Sequence, residues 1–88
     1  MLRITETISS HITTLKLEGK LLEPWTQELR AAVTAARTKG HPIQLDLRDV
    51  DYVDLDGAKL LRTLLADGVV IRDCSGFVSE LLERSRAR

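Results

Sequence analysis

Five aspartates fall between positions 46 and 56 (Asp46, Asp49, Asp51, Asp54 and Asp56), against the single cation Arg48. Carboxylates at this density could hold a metal, act as a nucleophile, or start a helix. A calcium loop needs ligands at positions 1, 3, 5 and 12 and a glycine at 6. With Gly57 at position 6, Asp54 and Asp56 fall correctly at 3 and 5, but Tyr52 stands at 1 and Thr63 at 12. The first carboxylate and the bidentate glutamate are both missing, so no metal is expected here. Asp49-Val50-Asp51-Tyr52-Val53 has the Asp-x-Asp-x-Val form of an aspartyl phosphatase loop. That chemistry also needs a neighbouring acid, a lysine and magnesium, for which a chain of 88 residues lacks room. His11 and His41 have no natural triad partner in sequence, Cys74 follows a strand end, and no Gly-rich phosphate loop is present. The remaining explanation is structural. An aspartate just ahead of a helix accepts backbone N–H bonds and suits the helix dipole, worth ~1 kcal/mol, and either Asp54 or Asp56 can do this. No catalytic residues and no cofactor are expected.

These residues need elements to position them. Leu2, Ile4 and Ile8 alternate with Arg3, Thr5 and Thr7, and after the polar turn Ser9-Ser10-His11 a second alternation runs through Thr13, Leu15 and Leu17. The pattern predicts an antiparallel hairpin, closed at Gly19. Pro24 suits a first helical turn, Trp25, Leu29, Ala32, Val33 and Ala36 follow at helical spacing, and Gly40 and Pro42 end the segment. Ile43, Leu45 and Leu47 alternate with Gln44, Asp46 and Arg48 as a third strand. Residues 57–66 read as a helix with Ala58, Leu61 and Leu65 on one stripe and Leu60 and Leu64 beside it. Asp67-Gly68 ends it, and Val69 to Ile71 make a short fourth strand. Ser75 is placed to cap a last helix carrying Phe77, Val78, Leu81 and Leu82, with Glu80 and Arg84 as an i,i+4 pair. The tail cations Arg84, Arg86 and Arg88 read as a solvated helix end.

The order β-β-α-β-α-β-α calls for parallel crossovers. Gln44, Asp46, Thr14 and Lys16 occupy the second face of their strands, so helices are expected on one face only. The predicted fold is α/β: a two-layer, four-stranded mixed sheet with helices mainly on one face, in a single domain over residues 1–88. Its core should hold Leu45, Leu47, Val53, Leu61 and Leu65. A doubly wound nucleotide-binding fold is disfavoured.

Composition narrows the classes further. Hydrophobic residues make up 43% and charged residues 30%, which suits one soluble domain burying roughly 60–70% of its unfolded surface. Thirteen basic residues balance thirteen acidic ones. A phosphate-tracking surface needs a basic excess, so no nucleic-acid partner is expected. The single cysteine forms no internal disulfide. No apolar run approaches the ~18 residues of a membrane span, and no signal-peptide core opens the chain. The expectation is a cytoplasmic protein without direct membrane insertion.

The run Asp46-Leu47-Arg48-Asp49-Val50-Asp51-Tyr52-Val53-Asp54-Leu55-Asp56-Gly57 resembles the signature of STAS domains, shared by sulphate transporters and bacterial anti-sigma factor antagonists. There a strand ending in Asp-Leu leads to a hydrophobic-Asp-Ser-Ser/Thr-Gly loop at a helix start. The opening hairpin, Leu17-Glu18-Gly19 followed by Leu21, and a helix near Trp25 fall in the same order, so the resemblance covers nearly the whole chain. It implies a non-catalytic regulatory switch in signalling and transcription. In the family the hydroxyl before the glycine is phosphorylated by a kinase that is also the anti-sigma factor. Here Asp54 and Gly57 match, but Asp56 holds the acceptor position and Leu55 replaces the preceding serine. The resemblance therefore implies a non-phosphorylatable acceptor equivalent at Asp56. The implied partner surface comprises Asp54, Leu55, Asp56, Gly57, Lys59, Arg62 and Thr63. The implied partner is an anti-sigma factor or serine kinase-like protein. Small soluble proteins of the family also serve lipid transporters, so an accessory subunit of a membrane transport assembly is the second expectation.

Overall fold

Alternating apolar residues on three strands decide which side of the sheet the helices can cover. In a computed structural model, which describes residues 1–86 apart from the side chains of Phe77 and residues 83–86, the elements are β1 (Leu2–Ser9), β2 (Ile12–Leu21), α1 (Trp25–Arg37), β3 (Ile43–Val53), α2 (Leu55–Ala66), β4 (Val70–Cys74) and α3 (Gly76–Arg86). The Phe77 packing, the Glu80–Arg84 pair and the arginine tail lie outside the described residues. The sheet runs β1-β2-β3-β4, with β1 antiparallel to β2 and the two remaining pairs parallel. Leu15, Leu17, Leu45 and Leu47 point to one face, where Leu29, Val33 and Ala36 of α1, Leu60, Leu61 and Leu64 of α2, and Val78 and Leu82 of α3 close over them. The opposite face carries Thr14, Lys16, Gln44 and Asp46, and Gln44 Nε2 donates to Thr14 Oγ1 at 2.8 Å. This is the two-layer mixed sheet that the alternation predicts.

Five details differ from the sequence reading. Gly19 does not close the hairpin. β2 continues to Leu21, and a Cβ at Gly19, where φ is +111°, would meet the Met1 carbonyl oxygen at 2.5 Å. The glycine lets the start of β1 close on β2, where Lys20 N–H donates to that same oxygen. β3 is likewise longer than its clean alternation. Between Lys16↔Asp46 and Glu18↔Asp49, and again between Gly19↔Val50 and Lys20↔Tyr52, β3 spends one residue more than β2. Each bulge resets the side-chain parity, so Leu47, Val50 and Val53 all face the core.

α2 starts at Leu55 rather than at residue 57, which moves its cap to Asp54. Its buried stripe is Gly57, Ala58, Leu60, Leu61 and Leu64. Leu65 was expected in the core but is 36% exposed. A 3.6-residue period centred on Leu61 and Leu64 leaves it at the rim. β4 begins one residue later than expected and runs to Cys74, with Val69 buried ahead of it. Ser75 caps α3 as expected: its Oγ accepts from Val78 N–H at 3.3 Å and donates to the Val50 carbonyl at 3.0 Å.

Candidate functional site: the start of α2

The five aspartates reach five different surroundings. Asp46, on the polar face, is only 4% exposed; its carboxylate accepts from Arg48 N–H at 3.1 Å and from the Arg48 guanidinium at 3.2 Å. Burial pushes this carboxyl up, but those two bonds and the charges of Arg48 and Lys16 outweigh it, so it titrates below its ordinary value. The Arg48 guanidinium is held above its own ordinary value, first by the Asp46 hydrogen bond and also by the Asp73 charge. Asp49 pairs with Lys16 and Asp51 with Lys20, each at 3.5 Å and each exposed. Such exposed pairs contribute little to stability but leave no spare charge.

Asp54 has a different task. One of its oxygens accepts from Gly57 N–H at 2.8 Å and the other from Glu23 N–H at 3.2 Å, while its own N–H donates to the Leu21 carbonyl at 3.1 Å. It therefore caps α2 and ties the helix start to the end of β2 and the segment leading to α1. Gly57 is buried at this junction. A Cβ there would lie 2.5 Å from the Leu21 carbonyl oxygen and 2.8 Å from Val53 Cγ1. Only glycine lets the helix rest this closely on the two strand ends.

Of the residues expected to form a partner surface, the structure thus places Asp54 and Gly57 in the framework; buried Gly57 cannot itself present a side chain. Leu55, Asp56, Lys59, Arg62 and Thr63 share the outward face of α2 and are exposed. Leu55 is 70% exposed at the first helical position. Asp56 lies in the first turn, where the helix dipole favours a negative charge. It is the one aspartate of the five without a partner among the described residues. Tyr52, 45% exposed just ahead of the cap, adds an aromatic surface that the sequence reading did not assign. Its only signal was an outward position after a bulge, and a single sequence does not announce bulges. Among the described residues no group of three or more His, Cys, Asp or Glu could hold a metal ion.

The family model described as "Mlab, STAS domain" matches residues 4–87. No curated protein matches. Among solved structures, a crystal structure of Mglu is 27% identical with a TM-score of 0.62, covering 78% of this chain and 18% of that one. A second, of Mglu in its L-glutamate binding form in the presence of 4.3 M NaCl, is 22% identical with a TM-score of 0.43, covering 81% and 26%. The chain thus spans about a quarter or less of the length of these Mglu chains.

Proposed function

Because the chain belongs to the STAS domain family, whose members are regulatory and binding modules, we propose that it is a non-catalytic protein-binding module of the anti-sigma factor antagonist type. In this reading it acts in the cytoplasm and docks its partner on the outward face of α2, through Leu55, Asp56, Lys59, Arg62 and Thr63. One observation carries it: beside exposed Leu55, Asp56 is the aspartate whose charge no described residue uses. A phosphoserine at a helix N-terminus would bring about −1.5 to −2 charges and three acceptor oxygens. Asp56 brings one charge and two oxygens, permanently. The partner, an anti-sigma factor or serine kinase-like protein, would then meet a fixed carboxylate beside exposed Leu55, flanked by Lys59 and Arg62, that no kinase can switch at this position.

The lack of a hydroxyl at positions 55 and 56 also favours a second reading, an accessory subunit of a membrane lipid-transport assembly whose partner never reads phosphate. Among the described residues no helix is long and apolar enough to cross a membrane, so such a subunit would bind the assembly through protein contacts.

The test is calorimetric titration of the purified chain with the proteins encoded beside it, whether a kinase-like regulator or a transporter ATPase. The bound protein decides between the two readings. Leu55→Ala and Asp56→Ala should each weaken that complex, and incubation with the kinase and ATP should leave the wild-type loop unlabelled. A partner that binds both variants as tightly as wild type would remove the α2 surface from the proposal.

A further inference from the structure

Parallel pairing at constant offset sets two histidines side by side at the end of the sheet remote from α2's first turn. β2 and β3 pair Thr13 with Ile43 and Leu15 with Leu45. Two residues before Thr13 stands His11, and two before Ile43 stands His41. Thr13 N–H donates to the Pro42 carbonyl at 2.9 Å, which carries the ladder toward that end. The imidazole centres are 5.7 Å apart with their planes at 71°.

Two further observations single out this pair. His11 and Ser10 form the two-residue link between β1 and β2 with φ of 64° and 53°, left-handed positions for which Asn-Gly is the unstrained choice. His41 Nδ1 is buried and has no hydrogen-bond partner, whereas buried polar atoms are normally satisfied. A nitrogen lone pair or N–H is therefore uncommitted next to a second imidazole.

We propose that His11 and His41 form a two-imidazole binding site for a late first-row divalent metal ion of the zinc, nickel or copper class. Imidazole nitrogen is the ligand these ions share. An ion about 2.0–2.1 Å from one nitrogen of each ring lies roughly 3.2 Å from each ring centre, so rings at a tetrahedral angle have centres about 5 Å apart. The observed 5.7 Å lies close to that value, and turning the edge-on rings about their side-chain bonds would bring one nitrogen of each toward a common ion. No third His, Cys, Asp or Glu joins the pair among the described residues, so water or another molecule completes the coordination. This is the signature of an exchangeable site with open positions, not of a closed structural one.

Zinc chloride titrated into the full chain, carrying no polyhistidine tag and with Cys74→Ser to remove the thiol, tests the site by histidine ring NMR. Both ring signals should move together and saturate at one equivalent. His11→Asn keeps a residue that tolerates the left-handed turn, and with His41→Gln each single change should weaken binding about tenfold by removing one of two protein ligands. Circular dichroism establishes that both variants keep the fold. Rings that do not respond, one ring responding alone, or wild-type affinity in the double variant would each overturn the site. None of these outcomes bears on the α2 surface, which lies at the other end of β3.

Discussion

Asp51 and Asp56 are five positions apart, both exposed and both acidic, yet they belong to different kinds of surface. Along the flank of β3, Asp46, Asp49 and Asp51 each meet a cation across or along the sheet. At the start of α2, Asp54 is consumed by backbone N–H groups and Asp56 by nothing described. The contrast shows that acidic density in a sequence is not a site. What distinguishes a candidate contact residue is a charge left over after strand register and helix capping have taken theirs.

The framework shared by both regions should give the largest effect. Leu47 is fully buried between the sheet and its helices, and Leu47→Ala should cost about 2–5 kcal/mol in denaturant unfolding. A loss under 1 kcal/mol would mean that β3 is not the central support described here. Gly57→Ala should come next, at about 1–3 kcal/mol, because its Cβ meets a backbone oxygen that has little freedom to move. Its melting temperature should fall although alanine is the better helix former. Asp54→Ala removes the cap and should cost about 0.5–2 kcal/mol, whereas the same change at Asp56 loses only a first-turn dipole interaction and should stay within about 0.5 kcal/mol. If the two variants melt alike, the division between framework and surface fails. The same Asp56→Ala protein should nonetheless lose partner affinity.

Asp46 sharpens the flank side of the comparison through pH. Its folded carboxyl titrates below the ordinary value of 3.8, so the stability it contributes is present above about pH 4 and is lost as pH falls through the depressed folded value. Asp46→Asn should flatten the acid limb of a stability–pH curve in that window.

Much of this was legible because helix and strand periods are local. The alternation through Ile43, Leu45 and Leu47 placed the core face, the Ser75 cap was readable from its neighbours, and the Asp54–Gly57 spacing pointed to a helix start. Leu65 was misplaced because a stripe read from Ala58 and Leu61 is ambiguous by one neighbour until the sheet beneath it sets the helix rotation. Val50 and Val53 entered the core through bulges that depend on how β2 lies alongside β3.

By itself, then, the sequence determined the order of elements, the sidedness of the sheet and the family, since each follows from spacing within a few residues. Tertiary structure alone decided which aspartate caps α2, which are neutralised and which stays unpaired, and that His11 stands beside His41. Those outcomes depend on pairing segments about thirty residues apart, such as Lys16 with Asp49 and Asp54 with the Glu23 amide. The reason is physical: a charge or hydrogen-bond donor acts over a few ångströms of space, whereas a sequence pattern reports only distance along the chain.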